Sequence, residues 1–240
     1  MIKVITSVKN QLIKDLVSLK SSSIKKKENR FLIEGDDLVS LAYENNQLDM
    51  ILTLEENLSY PDIEQIITSE QIFEKLSNNK SPSKIIGVAH FSNKEIKGDR
   101  IIFLDNVQDP GNVGTIIRTA LSFSYSGVVL GNNSASMYND KVIQSTKGAI
   151  FKIPVIENIS LSLLKDKGYQ IISTSLQNAC NYKEFNPNGK FVLVFGNEGQ
   201  GISEETLKLS DVLIKINMDH IDSLNVAIAA GILMNHYRGE

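Results

Sequence analysis

Five consecutive apolar residues, Phe191-Val192-Leu193-Val194-Phe195, run directly into Gly196-Asn197-Glu198-Gly199-Gln200-Gly201. A strand that is apolar at every position must be covered on both faces, as in a parallel sheet with helices packed on either side. The same pattern recurs at 101–104, 128–130, 171–174 and 212–216. Helical spacing fits between these runs, over 113–122, 141–147, 161–167 and 224–236. This alternation predicts an α/β fold with a parallel sheet. Open sheets of that kind bind ligands beyond the carboxyl ends of their strands, so the residues just after each strand deserve inspection.

The N-terminal part reads as a smaller α/β unit. Leu12, Ile13, Leu16, Val17 and Leu19 have helical spacing over 11–19, and 31–34 reads as a strand. Gly35-Asp36 opens a helix with an acid at its positive end. Further strands are expected at 50–54, 63–67 and 85–91. The polar stretch 92–100 contains a glycine and lacks apolar periodicity, so it marks a boundary. The expected division is a small domain over 1–95 and a larger one over 99–240.

Composition narrows the setting. Hydrophobic residues make up 42% of the 240, which supports a packed core and excludes wholesale disorder. No apolar run approaches the roughly 20 residues of a membrane span, and residues 1–11 lack a signal-peptide pattern. Cys180 is the only cysteine, so no internal disulfide forms, and no thiol or histidine cluster suggests a metal. These features point to a cytoplasmic protein with no membrane partner and no metal. The net charge of −3 argues against nucleic acid, but the average hides an asymmetry. Residues 1–30 carry eight Lys/Arg against two acids, 31–98 five against twelve, and 99–240 twelve against fourteen. The positive charge is densest at Lys25, Lys26 and Lys27, with Arg30 close by. By itself such a run reads as a solvated loop; the sharper reading is an arm that contacts phosphates.

Three segments that follow strands carry candidate chemistry. In Asp109-Pro110-Gly111-Asn112-Val113-Gly114-Thr115-Ile116-Ile117-Arg118, Asp-Pro-Gly is turn chemistry and Asn112 is expected to cap the helix. Asn112 and Arg118 are expected to face one side near its start. No Gly-Lys-Ser/Thr closes the segment, so it is not a phosphate-binding loop of that class. In the glycine loop, Glu198 exceeds what a turn requires, and glycines allow close backbone approach to a ligand. In the third segment, Ile216-Asn217-Met218 leads to Ser223-Leu224-Asn225, with Ser223 expected as the N-cap of the last helix. Each segment alone is also explained by an ordinary turn or cap. Their joint order is not.

Asn112, Gly114 and Arg118, then 195–199, then Ile216, Met218 and 223–226 together resemble the SpoU-type (TrmH-type) RNA methyltransferases of the SPOUT superfamily. The segment 30–35 resembles, less specifically, the ribosomal-protein-L30e-like substrate domain attached to many members. The resemblance implies a trefoil knot in the sheet, S-adenosyl-L-methionine as cofactor, transfer to a ribose 2′-hydroxyl, and a homodimer with its site near the interface. It implies a cofactor pocket of Thr174, Gly196, Asn197, Gly199, Ile216, Met218 and Leu224. Arg118, Glu198, Ser223 and Asn225 match catalytic or substrate-positioning residues, with Asn112 supporting them. Many members carry proline where this chain has Asn217, so the φ restraint of proline is lost there. Cofactor contacts at that point are expected to be largely backbone, which leaves binding possible.

On this reading RNA is the partner, ribosomal RNA ahead of transfer RNA, and Lys25, Lys26, Lys27 and Arg30 supply phosphate contacts. Arg118 is expected to bind phosphate and stabilise a developing alkoxide, because guanidinium stays protonated; action as a phosphate-assisted base is the alternative. Two other readings compete. A non-catalytic RNA-binding protein would not need Asn112, Arg118, Glu198, Ser223 and Asn225 together. A dinucleotide enzyme would carry Gly-x-Gly-x-x-Gly after its first strand, whereas this glycine loop follows a late one.

Overall fold

The computed structural model of the chain describes residues 2–78, 83–221 and 223–238. The outer ends of the two expected domains, residues 1 and 239–240, therefore lie outside the described residues. The chain divides into two compact units, one up to Asn93 and one from Lys94 onward.

The first unit contains β1 (Ile2–Val4), α1 (Gln11–Ser18), α2 (Ser22–Glu28), β2 (Phe31–Glu34), α3 (Asp36–Glu44), β3 (Leu48–Thr53), β4 (Glu64–Ile67), α4 (Glu70–Leu76) and β5 (Ile85–Ala89). Its sheet has the order β1-β4-β3-β5-β2, parallel among the first three strands and antiparallel from β3 to β5 to β2. Asn10 caps α1 by accepting the Leu12 N–H at 2.9 Å, and Ile13 and Leu16 turn inward onto Leu52, Ile66, Ile72 and Val88. The lysine run does not form a solvated loop. It lies on α2, where Lys25 is only 1% exposed while Lys26 and Lys27 face solvent. A helix turns successive residues by about 100°, so three adjacent lysines cannot all face water once one side is packed. Lys25 is thereby removed from the expected phosphate contacts.

The second unit contains β6 (Arg100–Leu104), α5 (Pro110–Ser122), β7 (Gly127–Leu130), α6 (Asp140–Ser145), β8 (Val155–Glu157), α7 (Leu161–Asp166), β9 (Gln170–Thr174), β10 (Cys180–Asn181), β11 (Phe191–Phe195), α8 (Glu204–Leu209), β12 (Val212–Lys215) and α9 (Val226–His236). The sheet order is β10-β12-β9-β11-β6-β7-β8, with every pairing parallel. All five residues of β11 are buried, as its unbroken apolar run requires. Three strands escaped the sequence reading, as did the helices α2, α4 and α8. The edge strands β8 and β10 are three and two residues long, too short to carry a pattern. The third, β1, is exposed at all three positions.

The register brings four strand ends level. Phe195 pairs with Leu104, Val194 with Ser173, and Ile214 with Thr174. Adjacent strands lie about 4.8 Å apart, so the ends of β12, β9, β11 and β6 fall within about 15 Å. On one face, α5 packs against both α6 and α9. The first of these contacts depends on Gly114, where an added Cβ would collide with Ser145 Cβ and sit 2.7 Å from the Val142 carbonyl oxygen. Gly114→Ala is expected to destabilise the second unit by about 1–3 kcal/mol through overpacking. The check is a lowered urea midpoint at unchanged slope.

Candidate active site

The loops after β6 and β11 are stitched together before any ligand is considered. Asp105 Oδ2 accepts the Ser203 N–H at 2.7 Å, and the Asp105 N–H donates to the Phe195 carbonyl at 2.8 Å. Asn197 Nδ2 donates to the Asn106 carbonyl at 3.0 Å. Its Oδ1 accepts the N–H groups of Gly199 and Gln200 at 2.9 and 3.0 Å, and its backbone exchanges two hydrogen bonds with Gly201. The glycines serve this closure. Gly201 has φ +73°, and a Cβ on Gly196 would collide with the backbone of Gly201 and Ile202.

Beside this loop lies a cavity of about 540 Å³, within the size range of small-molecule sites. Thr174, Gly196, Asn197, Gly199, Ile216, Met218 and Leu224 all line it, as do Glu198 and Ser223. Asn197 contributes shape more than contacts, because its amide is engaged within the loop. The Thr174 hydroxyl is likewise engaged, donating to the Val194 carbonyl at 3.1 Å. Sequence reading missed Ser175, Leu176 and Gln177 of the loop after β9, and Val226, Ala229 and Leu233 on α9. The 226, 229, 233 spacing places one side of α9 toward the cavity. That helix is apolar almost all round, so no stripe stood out.

Asn112, Glu198 and Asn225 come from the segments after three different strands, Asn112 from the first turn of α5, and a directed chain of hydrogen bonds joins them. Asn225, not Ser223, caps α9: its Oδ1 accepts the N–H groups of Ala227 and Ile228 at 2.9 and 3.3 Å. That duty fixes the amide's orientation. Asn225 Nδ2 donates to Asn112 Oδ1 at 3.0 Å, which in turn leaves Asn112 Nδ2 to donate to Glu198 Oε1 at 2.8 Å. The chain must end on an acceptor, and an ionised carboxylate accepts at both oxygens. Ser223 is exposed, and its hydroxyl makes no hydrogen bond among the described residues.

Asn112 does not cap α5 either. Asp109 does so, accepting the Asn112 N–H at 2.8 Å, with Pro110 opening the helix. This hydrogen bond, with help from Lys141 3.3 Å away, holds the Asp109 carboxyl below its usual range despite some opposing burial. Arg118 stands apart from the relay. Six residues along a helix amount to a rotation of about 240°, so it cannot share a side with Asn112. It is exposed, and its side chain has no hydrogen bond or ion pair among the described residues.

Residues 99–235, more than half of the chain, match the model of the SpoU rRNA Methylase family. The chain belongs to that family. Residues 10–87 match the MRM3-like substrate binding domain, so this SpoU family member carries both parts. It is 35% identical to the 23S rRNA (guanosine(2553)-2′-O)-methyltransferase RlmP of Bacillus subtilis, across 99% of this chain and 100% of that one. The crystal structure of an rRNA methyltransferase from Sinorhizobium meliloti superposes with a TM-score of 0.84 at 25% identity, covering 97% of this chain and 96% of that one. The AdoMet-bound form of that enzyme shares the fold at the same TM-score, with 24% identity and the same coverage. Among the described residues, no helix is long and apolar enough to cross a membrane, and no group of three or more His, Cys, Asp or Glu is placed to hold a metal.

Asp109→Ala is expected to cost about 1 kcal/mol through loss of the α5 cap. Because the Asp109 carboxyl is held below its ordinary range, its contribution is present above the unfolded-state pKa near 4 and disappears as pH falls through the lower folded value. Urea titrations at pH 7 and pH 3 should therefore separate the two proteins more widely at pH 7 than at pH 3.

Proposed function

We propose that this chain transfers a methyl group from S-adenosylmethionine to a ribose 2′-hydroxyl of ribosomal RNA. The observation that carries the reading is the Asn225–Asn112–Glu198 relay, which ends at the wall of the cavity. Family membership and full-length similarity to a 23S ribosomal RNA ribose methyltransferase support large-subunit RNA as the target.

The cavity suits the cofactor. Its walls combine apolar side chains such as Phe195, Ile216, Met218 and Leu224 with backbone groups of the loops after β11 and β12, and one carboxylate, Glu198, stands at the wall. Thr174, Gly196, Asn197, Gly199, Ile216, Met218 and Leu224 would hold it. When bound, S-adenosylmethionine supplies a methyl group on a cationic sulfonium. Glu198 accepts from Asn112 Nδ2 on Oε1, and its other oxygen can take a hydrogen bond from the ribose while its charge complements a cation. Ser223, whose hydroxyl makes no hydrogen bond among the described residues, stands at the same wall and can orient the sugar.

Arg118 remains a guanidinium at neutral pH and serves as a phosphate clamp and stabiliser of the developing alkoxide. It is exposed on α5, which packs against α9, and Ile228 of α9 is 57% exposed. A homodimer joined through this face would complete the site near the interface, and sedimentation tests that assembly directly. Lys26 and Lys27 supply phosphate contacts from α2. A cytoplasmic location belongs to the same reading.

Incubation with methyl-labelled cofactor and cellular RNA, followed by mapping of 2′-O-methyl groups, tests the activity. Label on ribosomal RNA ribose is expected; label confined to transfer RNA, or to a base, would overturn the assignment. Arg118→Ala should reduce turnover at least 100-fold and leave calorimetric affinity for S-adenosylhomocysteine within about twofold. Asn225→Asp retains the capping acceptor for both N–H groups but loses the donor to Asn112. It is expected to melt within a few degrees of wild type and to lose most of its turnover.

A further inference from the structure

Glu198 is exposed, and a long exposed side chain samples many rotamers unless something holds it. The Asn112 hydrogen bond at 2.8 Å holds the carboxylate end. That bond forms only while the backbone beneath Glu198 keeps its distance from the start of α5. The preceding residue, Asn197, sets that distance.

The hydrogen bonds of the Asn197 amide have two destinations. Oδ1 accepts the N–H groups of Gly199 and Gln200 at 2.9 and 3.0 Å, which winds the backbone around Glu198. Those donors demand an acceptor, so the amide nitrogen must face the other way. Nδ2 donates to the Asn106 carbonyl at 3.0 Å, across a sequence separation of 91 residues. Asn106 has φ +61° and begins the stretch that leads to Asn112.

Among the described residues, 196–202 reach 105–112 by hydrogen bond only through Asn197 and Glu198. The two bonds close a ring in which Asn197 ties the loop down and Glu198 bridges the gap. Asn197 also lines the cavity, but its acceptor oxygen and one of its N–H donors are already taken. The amide is built into the loop more than it is offered to a ligand.

We propose that Asn197 is a positioning residue for methyl transfer, holding the backbone under Glu198 at the separation that lets Asn112 orient the carboxylate. Its amide acts through Glu198 and not on the methyl group. The proposal rests on the methyltransferase reading above.

Two variants test it. Asn197→Asp keeps the acceptor for Gly199 and Gln200 but turns a carboxylate oxygen toward the Asn106 carbonyl, which cannot donate. Asn197→Ser keeps a shorter acceptor for the turn, adds no charge and does not reach Asn106. Both are expected to lower turnover on a 23S ribosomal RNA transcript at least tenfold, because a misplacement of about 1 Å can cost about 100-fold. Calorimetric affinity for S-adenosylhomocysteine should stay within about twofold, and melting within a few degrees of wild type. In a Glu198→Ala background, adding Asn197→Ser should cost less than about twofold more, since the group it places is gone. A crystal structure of Asn197→Ser should show Asn112 Nδ2 and Glu198 Oε1 separated by more than about 3.5 Å.

Wild-type turnover in Asn197→Ser overturns the proposal. A loss of S-adenosylhomocysteine affinity that matches the loss of turnover also does, because it makes Asn197 a cofactor contact. So does an undiminished loss in the Glu198→Ala background, which is what general destabilisation produces. If Asn197→Ser melts early, Asn197→Asp carries the same measurements. An inactive wild type sinks the methyltransferase reading, while the crystal structure still decides the tie: a retained 2.8 Å bond between Asn112 and Glu198 overturns it.

Discussion

Parallel pairing around β11 is the constraint from which the catalytic region follows. Every crossover in a parallel sheet must return the chain to the same starting edge, so all carboxyl ends emerge together. Here β12, β9, β11 and β6 are neighbours, and their last residues are level. Three segments separated by up to 113 residues can then exchange hydrogen bonds. A one-strand change in that order would place Asn112 and Glu198 farther apart than an amide can span.

Once the loops meet, polarity does the rest. A helix N-terminus demands an acceptor, Asn225 provides it, and the amide's other end becomes a donor. Each following group inherits its direction from the one before, ending on Glu198. A residue that looks like a simple cap thus governs hydrogen bonding at the cavity. Backbone packing acts the same way: Gly196 lets the loop after β11 fold onto itself, and Gly114 lets α6 approach α5.

The two units answer different physical problems. The larger one positions reactive groups over a cavity, which requires level strand ends and tight loops. The smaller one clamps the end of its sheet, where Asn29 and Gln47 lock three segments together. Separate stretches of the chain match the two family models, 10–87 the substrate binding domain and 99–235 the methylase.

Much was legible in residue order alone. Apolar runs such as 191–195 revealed a parallel sheet because burial on both faces leaves no polar position. The cavity-lining residues came from the resemblance to the SpoU-type enzymes, which the order of the three motifs carried. Caps were misjudged at both helices: Asn112 and Ser223 were favoured, yet Asp109 and Asn225 do the capping, because several polar residues compete at each start and only the final backbone path selects one. The burial of Lys25 was equally invisible, as helix phase depends on what packs against the helix, whereas the separation of Arg118 from Asn112 was open to reading from their six-residue spacing. Local chemistry thus determined which elements form and which residues follow them. Tertiary structure alone decided which side chains meet, because hydrogen-bond partners far apart in sequence are chosen by strand order and register.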